Sequence, residues 1–208
     1  MSSFRIELFM IKNIYMKSII KSIILFSVFA ISFMSCETYS DPKVDYSPIY
    51  PLSGEWRVRI TNLSTNTVLG TTAAPTTPTM FTLGIYNSSS NSADSLWIRI
   101  TSTIPFSGLA SSTKNTTFKS KITCDVKNLT FSTIGTVKNI NVTTNAVIDT
   151  ISITEAQVSL NSVEMPSGVT ADRIKFKLAK TRSSGVTYLV EGYRRTRWNE
   201  DETFITFK

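Results

Sequence analysis

The chain has 208 residues, 41% of them hydrophobic and 18% charged, and its formal net charge is +7. It contains no histidine, which excludes Ser-His-Asp and Cys-His catalysis and metal sites built on histidine. The basic residues alternate along the chain and do not cluster with aromatic side chains, so nucleic acid is not an expected partner.

The first predicted element is a signal peptide over residues 1–35. Residues 23–34 form an apolar run, which is shorter than the ~20 residues that span a bilayer. Lys17 and Lys21 precede the run as a positively charged region, and Met16 stands directly before them. The pattern is typical of an exported protein whose translation starts at Met16, and a transmembrane helix is the weaker interpretation.

A cysteine ends the apolar segment. The residues before Cys36 are bulky, bulky and small, in the order Phe33, Met34 and Ser35, which resembles a bacterial lipobox. Cys36 is therefore the candidate lipid anchor, and the alternative is a chance cysteine after an ordinary cleavage site. Two or more acyl chains anchor a protein stably where one is marginal. We expect a protein of the Gram-negative envelope, lipid-anchored at the outer membrane, with the membrane as a partner.

Residues 36–52 contain three prolines and little apolar periodicity, which predicts a tether between lipid and domain. Residues 53–208 then form one domain. If Cys36 is lipidated, the second cysteine, Cys124, has no partner for an intramolecular disulfide. Cys124 continues the alternation of Phe118 and Ile122, which predicts a buried small hydrophobe rather than a nucleophile.

Within the domain, apolar residues recur at every second position, which is typical of half-buried β-strands. About eight to ten strands separated by turns rich in Ser, Asn and Gly predict an all-β antiparallel sandwich or up-and-down barrel. The predicted strand segments are Trp56–Ile60, Phe81–Ile85, Leu96–Ile100, Phe118–Cys124, Leu129–Phe131, Val158–Leu160, Ile174–Leu178, Tyr188–Val190 and Phe204–Ile205.

Two stretches favour the barrel. "SGEWRVRI" contains a Gly-x-Trp tripeptide and "YLVEGYRRTRW" supplies late arginines, as in the lipocalin-like calycins that they resemble. The resemblance implies that Trp56 closes the barrel floor and that Arg194, Arg195 or Arg197 packs over its ring. A cation on an aromatic face contributes ~0.5 to 2 kcal/mol, depending on desolvation.

A longer series of segments is similar to one bacterial lipoprotein family. "GEWRVRI", "SLWIRI", "TFKSKITCDV" and "ADRIKFKLAKTRSSGVTYLVEGYRRTRWNEDE" follow one another between residues 51 and 202, and together they resemble the family labelled lipid-binding putative hydrolase. The resemblance implies a calycin-like barrel and a lipid ligand. Where the family typically reads "GHRRTG", this chain has Tyr193 for the histidine and Arg197 for the last glycine.

Catalysis is not expected from these residues. The sequence contains no Gly-x-Ser-x-Gly elbow and no glycine-rich phosphate-binding motif, although a Ser-Lys pair or two carboxylates remain open. Glu200, Asp201 and Glu202 form an acidic run that we interpret as a solvated hairpin turn rather than a calcium site. No metal and no cofactor are expected.

Basic residues alternate on several predicted strands, as in Arg57 and Arg59, Lys119 and Lys121, and Arg173, Lys175 and Lys177. They predict a solvated outer sheet face, and the alternative is contact with anionic lipid head groups or acidic glycans.

The leading hypothesis is a non-enzymatic lipoprotein whose barrel takes up a hydrophobic or amphipathic small molecule. The second is an accessory lipoprotein with a filled barrel that binds glycan or a partner protein through Trp97, Tyr86 or Trp198. Many of the residues predicted to point into the barrel are bulky, which favours a filled interior. They are Trp56, Phe81, Phe118, Phe131 and Phe176.

Overall fold

A computed structural model describes Met16 and residues 19–23, 25–26, 45–70, 80–106, 115–181, 185–202 and 207 of the chain. These residues belong to two compact units, Met1–Asp45 and Tyr46–Lys208. In the first unit Met16 and residues 19–23 and 25–26 are helical. The helices among the described residues fall short of the length and hydrophobicity that a membrane span requires. Cys36 lies outside the described residues, so its lipidation stays a prediction.

The second unit begins at Tyr46, before the Ser53 expected from the sequence. Ile49 and Leu52 are both fully buried and belong to the main hydrophobic core. The carbonyl of Ile49 accepts hydrogen bonds from the backbone N–H groups of Leu52 and Ser53, which closes a turn. The end of the predicted tether is therefore part of the folded unit.

The described part of the second unit contains ten β-strands and one short 3-10 helix, Asn199–Glu202. The strands are β1 (Gly54–Asn62), β2 (Thr67–Val68), β3 (Phe81–Asn87), β4 (Ser95–Pro105), β5 (Asn115–Asp125), β6 (Thr130–Ser132), β7 (Val137–Ile140), β8 (Val147–Glu164), β9 (Thr170–Lys180) and β10 (Thr187–Arg194).

Eight of the strands form a closed antiparallel barrel. Their order is β1-β3-β4-β5-β6-β8-β9-β10, and β10 pairs back onto β1, so every neighbour in the ring is also the next barrel strand in the chain. β2 pairs with β1, and β7 pairs with β8 at the end of that strand not used by β6. The predicted antiparallel up-and-down barrel is confirmed.

Strand alternation places the predicted apolar residues inside the barrel. Burial of each large apolar side chain stabilises the fold by ~1.5 to 3 kcal/mol. Leu160, expected to point inward with Val158, is 48% exposed, because the β8–β9 register shifts after Ser159. The predicted inward aromatic residues are all buried, namely Trp56, Phe81, Phe118, Phe131 and Phe176.

Part of the outer face of β1, β9 and β10 departs from the solvated surface that the sequence predicts, whereas Lys175 on β9 is exposed as predicted. The Arg59 and Arg173 guanidinium groups both pair with Glu191, which is 5% exposed. The ring of Phe207 covers the two arginines, with its centre 5.3 and 5.2 Å from their guanidinium carbons. This ion-paired layer is therefore partly desolvated by Phe207.

Candidate functional site

Trp56 and Arg194 pack against each other at one end of the barrel. The two residues are paired neighbours on β1 and β10, so their side chains share a face. The guanidinium carbon of Arg194 lies 4.4 Å from the centroid of the fully buried Trp56 ring. Arg194 also donates to the carbonyls of Pro51 and Ser53 and pairs with Asp172 at 2.7 Å. It therefore joins the N-terminal turn, the floor of the barrel and β9.

Arg195 and Arg197 do not pack on Trp56. Arg195 pairs with Glu202 at 2.5 Å and with Glu55 at 3.3 Å, and Arg197 pairs with Glu55 at 2.8 Å. Successive side chains of an extended backbone point to opposite faces, so the side chain of Arg195 points away from Trp56. Of the three arginines named from the sequence, the structure brings only Arg194 to the tryptophan.

Three polar side chains lie inside the other end of the barrel, and we call them the interior polar cluster: Asn139, Asp149 and Lys180. All three residues are at least nine-tenths buried. Lys180 Nζ lies 3.5 Å from Asp149 Oδ2, and Asn139 donates from Nδ2 to Asp149 Oδ1 at 2.7 Å. Among the described residues, Asp149 Oδ2 accepts no hydrogen bond.

Apolar groups surround the interior polar cluster. Lys180 Nζ lies 4.2 Å from the centroid of the Phe106 ring, which meets Tyr188 edge-on at 5.0 Å. Ile151 neighbours the cluster through its pairing with Lys180 across β8 and β9. The cluster thus combines a cation, a carboxylate and an amide at the end of an apolar interior.

The interior polar cluster was not predicted from the sequence, although strand alternation carried a signal for each of its two charged residues. Lys180 is in phase with Phe176 and Leu178, and Asp149 is in phase with Ile151 and Ile153, so both continue an inward row. A charged residue that continues an apolar row is the pattern that marks it.

A separate cavity of about 590 Å³ lies on the outside of the wall, against β1, β3 and β4 and the residues after β10. We call it the arginine groove. Four of the described residues that line it are arginines, and one, Glu55, is acidic. Its lining is Gly54, Glu55, Thr82, Gly84, Ile85, Tyr86, Arg99, Thr101, Arg194, Arg195 and Arg197.

The surface aromatics proposed for sugar stacking differ in accessibility. Trp97 and Tyr86 are half-buried, and their rings lie 5.1 Å from Lys119 Nζ and 5.3 Å from the Arg99 guanidinium carbon. Trp198 is 55% exposed. Of these three rings, Trp198 alone offers a largely open face.

The acidic run is a 3-10 helix with a buried centre and not a solvated hairpin. Asp201 is 1% exposed and accepts hydrogen bonds from Ser167 N, Ser167 Oγ and Thr196 Oγ1 at 2.6–2.9 Å. Burial acts to raise the pKa of Asp201, but the hydrogen bonds from Thr196 and Ser167 outweigh it and hold the pKa below that of an ordinary aspartate. The predicted strand at Phe204–Ile205 lies outside the described residues.

Cys124 is a half-buried free thiol whose Sγ lies 3.4 Å from the carbonyl oxygen of Ala93. Burial, with smaller contributions from Asp94 and Asp125, raises its pKa to about 11. Since the thiolate is the nucleophile, this environment suppresses its reactivity.

The geometry defines a closed β-barrel with a polar end inside an apolar interior. The sequence matches the family model described as lipid-binding putative hydrolase over residues 41–199, and the chain belongs to that family. The recognised family is therefore confirmed, and a lipid ligand fits both the family and the barrel.

Among solved structures, a redesigned β-barrel is similar at 15% identity and a TM-score of 0.40, over 72% of this chain and 96% of that chain. No curated protein matches the sequence.

Proposed function

We propose that the protein is a non-catalytic, lipid-anchored envelope protein that binds one hydrophobic or amphipathic small molecule inside its barrel. The observation that carries this proposal is the interior polar cluster. In the proposed complex the polar head of the ligand meets Asp149 and Lys180, and its hydrocarbon part lies along the apolar wall.

The energetics of the cluster support a binding role. The loss of hydration free energy when two charges are buried can exceed their mutual attraction. A protein with an apolar pair of the same size at such a site is therefore often more stable by ~1 to 4 kcal/mol. Asp149 Oδ2 lies 3.5 Å from Lys180 Nζ but accepts no hydrogen bond from the described residues, so a ligand hydroxyl or amine would supply a hydrogen bond that the ion pair does not. Lys180 Nζ is a matching donor for a ligand oxygen.

The absence of catalysis is supported by the place of Tyr193. This residue stands where the resembled family carries a histidine, is 1% exposed, and donates a hydrogen bond to the carbonyl of Asp201. Burial raises the pKa of its phenol, against the opposing charge of Arg57. Tyr193 therefore holds the 3-10 helix in place and is not available as an acid or base.

The test is displacement of a fluorescent fatty-acid probe from the full-length protein. The double variant Asp149→Asn/Lys180→Met removes both charges together, so it leaves no lone buried charge. We expect its affinity for the probe to fall by about tenfold or more, since the charge-assisted hydrogen bond that Lys180 Nζ donates to the probe carboxylate is worth ~1.5 to 3 kcal/mol.

The matched control is Glu155→Gln/Lys177→Met, which removes an ion pair between the same two strands. Glu155 and Lys177 have side chains 64% and 37% exposed. We expect unchanged probe affinity in this variant. Equal affinities for wild type and both double variants would remove the basis of the proposal.

The alternative, an accessory protein that contacts glycan through surface aromatics, has less support. Its three rings include two that are already half-buried against Lys119 and Arg99. Trp198 is the one ring of the three that is largely exposed.

A further inference from the structure

We propose that the arginine groove is a second binding site, for a phosphate group, carried by a lipid head group or by a free phosphate ester. The groove lies on the outer wall at the end of the barrel where Trp56 and Arg194 pack, whereas the interior polar cluster is inside the opposite end. This proposal is independent of the proposed function, because the two sites have no residue in common.

The Arg99 side chain lies over Gly84. Gly84, on β3, presents no side chain of its own, and a Cβ there would meet Arg99 Cγ at 3.6 Å and Arg99 Nε at 3.7 Å. The hydroxyl-bearing residues Thr82 and Thr101 lie on the same outer face and line the cavity. A volume of about 590 Å³ falls within the ~300–1,000 Å³ of small-molecule sites.

Three of the four arginines of the groove have carboxylate partners. Arg194 pairs with Asp172 and donates to two backbone carbonyls, so its role is structural. Arg195 pairs with Glu202 at 2.5 Å and shares Glu55 with Arg197.

Arg99 is the arginine that the fold leaves for a ligand. Within the described part of the chain it has no carboxylate partner, and its guanidinium carbon lies 5.3 Å from the Tyr86 ring centroid. Stacking on an aromatic ring orients the guanidinium plane and leaves its N–H donors in the plane.

A phosphate group matches this arrangement better than a single carboxylate does. Guanidinium groups bind phosphate oxygens through paired N–H donors, and a phosphate offers more acceptor oxygens than a carboxylate does to the arginine and threonine side chains that line the cavity. Glu55 occupies the position of a resident anion, and a ligand anion competes with it for Arg195 and Arg197.

The test is calorimetric titration of the full-length chain with inorganic phosphate, glycerol 3-phosphate and dihexanoylphosphatidylglycerol. The variants are Arg99→Gln and Glu55→Gln, and the control is Lys175→Gln, which removes an equal charge from an exposed site on β9. We expect Arg99→Gln to weaken binding of the responding probe by about tenfold. Glu55→Gln should tighten it, and Lys175→Gln should change it by less than about twofold.

The two sources of phosphate give different outcomes. Tighter binding of the short-chain lipid than of glycerol 3-phosphate, with sensitivity to Arg99→Gln, supports a lipid head group. Equal binding of the two, with the same sensitivity, supports a free phosphate ester. Failure of all three probes to bind, or equal effects of Arg99→Gln and Lys175→Gln, overturns the proposal. Lipid binding that depends on Asp149 and Lys180 but not on Arg99 also overturns it, while leaving the proposed function intact.

Discussion

The guanidinium carbon of Arg194 lies 4.4 Å from the centroid of the Trp56 ring, across the seam where β10 closes onto β1. The Arg194 guanidinium therefore packs on the aromatic ring, and it also donates hydrogen bonds to three oxygen acceptors, those of Pro51, Ser53 and Asp172. The end of the barrel and the turn that leads into it are therefore held by the same side chain.

Replacing Arg194 with lysine should destabilise the fold although the charge is kept. A lysine ammonium cannot reproduce the planar fork of donors, and the acceptors that it leaves unsatisfied cost ~1 to 3 kcal/mol. Urea unfolding followed by tryptophan fluorescence measures the change. The control is Arg197→Lys at a side chain that is 71% exposed, for which we expect less than about 0.5 kcal/mol. Equal effects of the two substitutions would contradict this account of the seam.

Gly192 should not tolerate alanine. A Cβ at this position of β10 would lie 2.0 Å from the carbonyl oxygen of Arg57 and 2.7 Å from Val58 Cα, both on the neighbouring strand. The strands must separate to make room, at a cost of about 3 kcal/mol or more. Gly84→Ala is the matched control, because its Cβ meets only ordinary contacts at 3.6 Å or more. Thermal unfolding of both variants tests whether β1 and β10 lie as close together at Gly192 as these distances indicate.

The stability of the protein should fall in acid through Asp201. The folded-state pKa of Asp201 lies below its ordinary value, so its stabilising contribution is complete above the unfolded pKa of ~4 and is lost as the pH falls through the folded pKa. In Asp201→Asn the free energy of unfolding should therefore decrease less than in the wild type as the pH falls from about 5 to about 3. Glu164→Gln removes an exposed carboxylate and should leave the slope as in the wild type. An unchanged slope in Asp201→Asn would show that the carboxylate is not what holds the 3-10 helix.

The Cys124 thiol should react slowly. With a pKa of about 11, its thiolate fraction at pH 8 is about a hundredfold smaller than that of a thiol with a pKa near 9. In a Cys36→Ser background, where Cys124 is the single thiol, Ellman's reagent measures the rate in the native and the guanidinium-unfolded protein. A native rate within a few-fold of the unfolded rate would show that the thiol is exposed and reactive.

The sequence predicted the barrel well because alternation of side chains is a local property of a strand. Trp56, Phe118 and Phe176 stand in clear two-residue periods, and all three are buried. β2 and β7 were not predicted, because β2 has only two residues and the buried position of β7 is the polar Asn139. Leu160 was predicted on the wrong face, because the bulge of β8 depends on its pairing with β9.

The site was predicted only in part, since its members meet through pairing between distant strands. The sequence offered Arg194, Arg195 and Arg197 to Trp56 without choosing, and the choice follows from the β1–β10 register, which places Arg194 opposite the tryptophan. Asp149 and Lys180 were missed as a site, because no local signal joins a residue of β8 to one at the end of β9. The cover of Phe207 over Arg59 is equally non-local.

The most direct test of the proposed function is native mass spectrometry of the full-length protein purified from its own cell envelope, together with the Asp149→Asn/Lys180→Met variant. We predict a reproducible additional mass on the wild type, released by organic solvent and identified as a lipid, that is lost or strongly reduced in the variant. The bare protein mass in the wild type, or the same additional mass in both proteins, would contradict a ligand held at the interior polar cluster.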